Sequence, residues 1–388
     1  MRGDVAEIFS AFLKLGLTSF GGPVAHLGYF RLEFVERRKW LSEASYADLV
    51  ALCQFLPGPA SSQVGIAIGL LRGGYAGALA AWTAFTLPSA IALVLFAYGV
   101  AALDSSLDGG WLHGLKVAAV AVVALAILGM ARTLTPDRIR ASLAVAAMAV
   151  ALVLPSAWGQ IAGILLGGIV GWFCIKGTPA VDQSVLPLPV NRATGVTMLF
   201  IFAALLIGLP LAVAMTGNAA LGLFDTFYRV GSLVFGGGHV VLPLLKAEVV
   251  PSLVNGDAFL AGYGAAQAVP GPLFTFAAYL GAVIGGWTVA AMCLVAIFLP
   301  SFLLVSGVLP FWDALRRTPM AQAMLSGVNA AVVGLLLAAF YDPVWTAGIT
   351  NGYDYALALG AFVLLFVGKL PPWLVVVLCA IVGQFVLP

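Results

Sequence analysis

The sequence predicts an all-α polytopic membrane protein: two inverted-topology repeats with broken, re-entrant helices, joined by an extra transmembrane helix. Three observations predict it. First, 62% of the 388 residues are hydrophobic and 9% charged, with a mean hydropathy of +1.08. A soluble domain is roughly a quarter charged, so the solvent of this chain is lipid. Second, the apolar residues fall in thirteen long segments without the ten-residue alternation of a barrel strand. Third, short motifs recur at a nearly constant offset, while the basic loops change sides between the halves. Soluble enzymes, nucleic-acid binders and disulfide-stapled secreted scaffolds are excluded, and a net charge of +2 gives no reason for a polyanionic partner.

The first six segments run near 8–30, 46–71, 75–100, 113–131, 141–154 and 158–175. Gly21-Gly22-Pro23 interrupts the first, leaving open whether it crosses or re-enters. Pro57-Gly58-Pro59 interrupts the second, and a continuous helix hardly tolerates it. The stretch 176–195, with Lys176-Gly177-Thr178-Pro179 and Leu186-Pro187-Leu188-Pro189, reads as a linker, and 196–216 as the extra helix. Six more segments follow near 224–245, 258–284, 286–309, 321–340, 354–368 and 371–387, with 141–154 and 354–368 short for a crossing. Phe20-Gly21-Gly22 returns as Phe235-Gly236-Gly237, offset 215, and Gln54-Phe55-Leu56-Pro57-Gly58-Pro59 as Gln267-Ala268-Val269-Pro270-Gly271-Pro272, offset 213. Gly73-Gly74-Tyr75 and Leu87-Pro88-Ser89 return as Gly285-Gly286-Trp287 and Leu299-Pro300-Ser301, offset 212; Gly114-Leu115-Lys116 returns as Gly327-Val328-Asn329, offset 213. The expected units are a first repeat over 1–175, a linker and inverting helix over 176–219, and a second repeat over 220–388.

Orientation follows the cations. Loop 101–112 has Asp104 and Asp108 but no cation, whereas 132–140 has Arg132, Arg138 and Arg140. In the second half 310–320 carries Arg316 and Arg317, and 341–353 carries Asp342 alone. This exchange predicts inversion. The basic loop 31–43 is expected in the cytoplasm and 101–112 outside, which returns Arg72 to the cytoplasmic face and makes 46–71 re-entrant. The N-terminus is then cytoplasmic and the C-terminus outside. Met1-Arg2-Gly3-Asp4 leads into an amphipathic stretch without a cleavable leader pattern. Cys53, Cys174, Cys293 and Cys379 are widely spaced and read as buried apolar side chains, with no metal site.

Broken helices at membrane depth line cavities or lie buried in protein, and the amino end of a half-helix attracts anions through its unpaired N–H groups. Ser61, Ser62 and Gln63 follow Pro59, and Thr275 follows Pro272; Gln54 and Gln267 add amides. The alternative is a kink used only for packing. The glycine runs permit close approach of a ligand or of another helix. His239 is read as a donor to an anion or a proton carrier, with a plain packing histidine as the alternative, while His26 and His113 lie nearer segment ends and receive no role. All sixteen carboxylates fall in loops or near segment ends, the deepest being Asp48 and Asp225. The cations inside apolar runs are Lys14, Lys116 and Arg229, and Lys14 and Arg229 match at offset 215. A pathway with cations and no acids suits an anion; snorkelling to the interface is the alternative. Asn329 stands where the first repeat has Lys116. No GxSxG, HExxH or dinucleotide fingerprint occurs, so no enzyme activity and no cofactor are expected.

FGG in the first segment, QxxPGP in the second, and FGGGHxxxP with QxxPGP in the second half resemble the chromate ion transporter family in its long, two-domain form. The stretch Phe30-Arg31-Leu32-Glu33-Phe34-Val35-Glu36-Arg37-Arg38-Lys39-Trp40-Leu41 is also similar. The resemblance covers nearly the whole chain. It implies antiparallel duplicated halves in the inner membrane and export of chromate, a tetrahedral dianion resembling sulfate, conferring chromate resistance. Motif residues would be Ser19, Phe20, Gly21, Gly22, Gln54, Pro57, Gly58 and Pro59, with Gly236, Gly237, Gly238, His239, Pro243, Gln267, Pro270, Gly271 and Pro272. One departure stands out: Pro23 occupies the place of Gly238, and no histidine follows it. The residues leave open sulfate or another oxyanion as substrate and, more remotely, a lipid-handling membrane enzyme. Proton coupling and a homodimer are compatible with the pattern.

Overall fold

The computed structural model describes residues 4–103, 109–154, 156–177, 190–235 and 237–386. Residues 1–3, Asp104 and Asp108 of the acidic loop, 178–189 of the linker, Gly236 and residue 387 lie outside the described residues. Among the described residues every regular element is a helix, as expected of an all-α membrane protein.

The chain opens with α1 (Val5–Thr18), capped by Asp4, whose carboxylate accepts the Ala6 N–H at 3.0 Å. After Ser19 and the glycines, α2 (Gly22–Arg31) starts with Pro23 in its first turn, where a missing N–H breaks no helical bond. It runs into a wide π turn over Leu32–Arg37. Ser42 caps α3 (Glu43–Phe55). Beyond Pro59, α4 (Ala60–Leu103) comprises two arms that fold back at Gly74. Gly69 and Gly77 touch across this hairpin, each standing where the other's Cβ would clash.

Both halves of segment 46–71 begin and finish at one end of the molecule. Arg72, closing the first arm of α4, stacks over Trp40 at 5.1 Å and lies 4.0 Å from Glu7. Trp40 belongs to the loop from which α3 starts. Segment 8–30, left open by its sequence, behaves alike: Arg38, past α2, pairs with Glu7 at the start of α1 at 3.1 Å.

Then come α5 (Gly110–Leu134), α6 (Arg138–Val153), α7 (Ala157–Cys174) and the apolar, outward-facing α8 (Arg192–Thr216). The second half mirrors the first in order. It holds α9 (Ala219–Leu233), a 3-10 turn (Gly238–Val240), α10 (Val241–Val249) and α11 (Gly256–Ala268), capped by Asn255 as α3 is by Ser42. A 3-10 turn (Leu273–Thr275) leads into α12 (Phe276–Val308), which reverses at Gly285-Gly286. The short α13 (Trp312–Arg316), then α14 (Pro319–Ala339), α15 (Thr346–Gly348), α16 (Gly352–Phe366) and α17 (Pro372–Val386) finish the chain. Stretches 310–320 and 341–353, read as loops, therefore hold helical turns. Among the described residues, five stretches are long and apolar enough to cross a membrane: 60–102, 110–134, 192–216, 273–316 and 319–348.

In the middle α4 packs on α12, flanked by α1 against α4 and α9 against α12. The outer helices are exchanged: α5 packs on α16 and α17, while α14 packs on α6 and α7. Small residues permit both crossings. Gly114 lies on the Cys379 backbone and Gly110 on Gly383, and Gly327 lies on Gly167 and Gly171. Buried aromatic clusters pin the hairpins, Phe12, Phe30, Phe34 and Phe85 in one half and Phe259, Tyr263, Phe276 and Tyr279 in the other. Cys53, Cys293 and Cys379 are buried as small apolar side chains. Cys174 departs from the expectation: at the end of α7 it faces outward.

Candidate functional site

Each Pro-Gly-Pro turn is held by the opposite half. The Gly58 N–H donates to the carbonyl of Val234 at 2.6 Å, and the Gly271 N–H donates to the carbonyl of Ser19 at 2.9 Å. Ser19 and Val234 are themselves counterparts at offset 215. The turns need glycine: Gly58 has φ +125° and Gly271 φ +100°. Space is also short. A Cβ at Gly58 would meet the Gln63 amide and lie 2.9 Å from Ser301 Oγ; one at Gly271 would lie 2.8 Å from Ser89 Oγ. Ser89 and Ser301 are counterparts at offset 212 on the second arms of α4 and α12. The glycine runs meet as well, since Gly238 lies against Pro23 and Gly22 faces His239 Nε2.

Behind these turns two half-helices begin. In the first half the Gln63 N–H is bonded to the Pro59 carbonyl at 2.9 Å, so the N–H groups of Ala60, Ser61 and Ser62 precede that bond. In the second half the Thr275 N–H bonds the Pro272 carbonyl at 3.0 Å, leaving Leu273 and Phe274 ahead of it. Ser19, Ser61, Ser62, Gln63, Thr86, Ser89, Thr275 and Ser301 are all buried. Ser19 Oγ, Ser62 Oγ, Gln63 Oε1, Thr86 Oγ1, Gln267 Nε2 and Ser301 Oγ have no hydrogen-bond partner. Unpaired buried polar atoms are uncommon in folded proteins. Gln63 Nε2 donates to the Pro57 carbonyl at 2.6 Å and Thr275 Oγ1 to the Pro272 carbonyl at 2.7 Å, so both stiffen the turns.

The histidines are placed differently from the sequence reading. His26, given no role there, is buried at the crossing, with Nε2 at 3.1 Å from the Ser19 carbonyl and Nδ1 at 3.3 Å from Ser61 Oγ. An intervening turn of α2 hid this, because helix position along a segment does not report what lies across the break. His239 shares a hydrogen between Nδ1 and the Tyr263 hydroxyl at 2.8 Å. His113 pairs with Asp354 at 2.8 Å, away from the crossing. Of the other expected residues, Gln54 is exposed and Phe20 packs its ring on Trp373 at 5.7 Å. Asn329 keeps an unpaired Oδ1 on α14.

The expectation of membrane cations without acids is overturned. Lys14 lies 3.5 Å from Glu33, Lys116 2.9 Å from Asp257, and Arg229 2.5 Å from Asp225 and 3.6 Å from Glu248. Acids placed near segment ends by sequence fold back onto these cations. Lys14–Glu33 and Arg229–Glu248 are the same pair in the two halves, both at offset 215. A buried tie joins the halves: Asp48 accepts from Arg316 and from the Trp312 indole, each at 2.9 Å. At Glu33, burial pushes the carboxyl upward, but hydrogen bonds from Arg38 and Arg37 with the Lys14 charge hold it below its ordinary range.

Comparison with known proteins gives one family. The profile of the chromate transporter family matches residues 6–172 and 221–384. The chain is 28% identical to a probable chromate transport protein of Synechococcus elongatus over 98% of its own length and 95% of that protein's. It is 28% identical to a chromate transport protein of Pseudomonas aeruginosa, covering 95% and 92% of the two chains, and 26% identical to one of Cupriavidus metallidurans, covering 86% and 81%. No solved structure matches. With both halves matched and the paired turns in place, this multi-pass membrane protein belongs to the chromate transporter family.

Proposed function

We propose that the protein exports chromate from the cytoplasm across the inner membrane, conferring chromate resistance, and that the anion passes through the crossing of two inverted repeats by alternating access. The observation that carries this reading is the reciprocal pair of bonds Gly58 to Val234 and Gly271 to Ser19, surrounded by buried unpaired hydroxyls and amides. Two opposed half-helices offer N–H groups there, and the broken backbone is sealed by the partner half, which satisfies its polar groups without water. Hydrogen-bond donors, with no acid among the described residues named at the crossing, suit a tetrahedral dianion. A potential negative inside favours exit of each negative charge by about 2.3 kcal/mol per 100 mV, so a dianion leaves without a second energy source. The N-terminus and the basic loop 31–43 then face the cytoplasm, and the C-terminus faces outside. The paired cations Lys14 and Arg229 shape the ends of the hairpins, and Lys116 and Asn329 lie on the flanking α5 and α14.

The test is chromate flux in proteoliposomes under an imposed potential. Gly58→Leu is expected to abolish flux while the protein remains monodisperse, and sulfate is expected to compete. Flux unchanged in a folded Gly58→Leu protein removes the crossing as the pathway.

A further inference from the structure

We infer that His26 is a positioning residue whose protonation turns the Ser61 hydroxyl toward the anion and so sets the affinity of the crossing; this rests on the reading of the crossing as the anion site. A carbonyl oxygen only accepts, so the contact of Nε2 with the Ser19 carbonyl at 3.1 Å puts the hydrogen on Nε2. Nδ1 of the neutral ring is then an acceptor, and the Ser61 hydroxyl, 3.3 Å away, donates to it. In that state Ser61 shows lone pairs, not a hydrogen, to the start of the first arm of α4.

A proton taken from solvent onto Nδ1 reverses the bond. Nδ1–H donates to Ser61 Oγ, and the hydroxyl hydrogen is released to an anion at the helix start, beside the free N–H groups of Ala60, Ser61 and Ser62. The imidazolium also brings a positive charge to a place where the contacts described above involve no Lys or Arg. Both changes strengthen binding, since charge-assisted hydrogen bonds are the strong ones and low polarity amplifies them.

The position of His26 suits this role. The ring is 1% exposed, held edge-on against Phe85 at 5.3 Å, and its Ser19 acceptor is the same carbonyl that takes the Gly271 N–H. The orientation is thereby fixed by both halves. Of the titratable groups on the packed elements, Tyr46 of α3 donates its hydroxyl to the Leu27 carbonyl, Glu43 and Asp48 of α3 are held by Arg31 and Arg316, Cys53 of α3 is buried, Arg72 of α4 lies by Glu7, and His239 sits on Tyr263 across the glycine runs. In the second half Val241 stands at the His26 position and Phe274 at that of Ser61, so the device exists once.

By linkage, an anion that prefers the charged ring must raise the proton affinity of His26 by the same factor. The experiment is equilibrium binding of radiochromate to purified protein between about pH 4 and 8, for wild type, His26→Gln and Ser61→Ala. Chromate itself takes up a proton in this range, a contribution common to all three proteins, so the readout is the difference between them. Wild type is expected to gain about tenfold in affinity toward the acid end beyond the anion's own change. His26→Gln should lose that gain entirely, and Ser61→Ala should keep part of it. As a readout independent of variant folding, ¹⁵N-histidine spectra of the wild type, which has 3 histidines, should show one Nε2–H ring becoming imidazolium when chromate is added. That signal is assigned by its persistence in His113→Gln and its loss in His26→Gln. A pH response in His26→Gln equal to wild type, or no histidine signal moved by bound chromate, overturns the inference alone. No chromate binding by wild type at any pH overturns the proposed pathway with it.

Discussion

The two Pro-Gly-Pro turns share a backbone and differ in side chains. Both donate a glycine N–H to the other half, both carry a left-handed glycine, and both face a serine from the opposite long hairpin. Past the turn they diverge. The first half enters an α-helix through Ala60, Ser61, Ser62 and Gln63, whereas the second makes a 3-10 turn through Leu273, Phe274 and Thr275. The first half holds its histidine under Ser61; the second holds one two positions earlier, on Tyr263. Even the ties differ: Asp48 of α3 is sealed on Arg316, while Asp257 of α11 meets Lys116 at the surface. The two turns share what positions the chain, and they differ in the polar side chains that follow it.

The comparison can be broken most severely at the glycines. Gly58→Ala forces a Cβ into Gln63 and Ser301 at a φ that side chains avoid, and Gly271→Ala does the same against Ser89. Each is expected to destabilise by about 1–3 kcal/mol from backbone strain, and Gly58→Ala by more, because Gln63 is itself bonded to the Pro57 carbonyl. Thermal unfolding in detergent ranks them; a milder Gly58→Ala would show the turns to be mechanically alike.

The ties come next. Asp48→Ala takes the acceptor from the Trp312 indole and a buried carboxylate from Arg316, a loss of about 3 kcal/mol softened by Asp313, which also holds Arg316 at 2.6 Å. Asp257→Ala removes an exposed partner and is expected to change stability by less than about 1 kcal/mol. Equal shifts in melting temperature would show that burial does not distinguish the two.

The smallest effect is a pH limb. Glu33 is held by Arg38 at 2.8 Å, Arg37 at 3.4 Å and Lys14 at 3.5 Å, and its carboxyl is depressed in the folded state. Such a group contributes stability that is complete above its unfolded value and is lost as pH falls through the folded one. Melting temperature should therefore drop on the acid side, and Glu33→Gln should flatten part of that limb. An acid limb unchanged in the variant would assign it to other carboxylates.

Much of this architecture is legible in the sequence because hydropathy and helix breakers act locally. The segment limits, the breaks at Pro57-Gly58-Pro59 and at the glycine runs, and the return of Arg72 to the basic loop all follow from short stretches. What sequence could not supply was contact across the breaks. Lys14 and Glu33 are separated by a whole hairpin, and only its closure brings them together. His26 looked peripheral because it lies one turn before the end of an apolar run, yet that run folds inward. Gln54 and Gln267 looked equivalent by motif, but Gln54 is exposed and Gln267 carries a buried, unpaired amide nitrogen.

The exchange of outer helices has a consequence for biosynthesis. Residues 138–174 leave the ribosome long before α14, the helix they pack against, has been made. The N-terminal portion must therefore wait in the bilayer, with its glycine-lined faces uncovered, until residue 339 has been inserted. Maturation is a late docking event of the whole polypeptide, and a truncated chain ending in α8 would be a substrate for quality-control proteolysis.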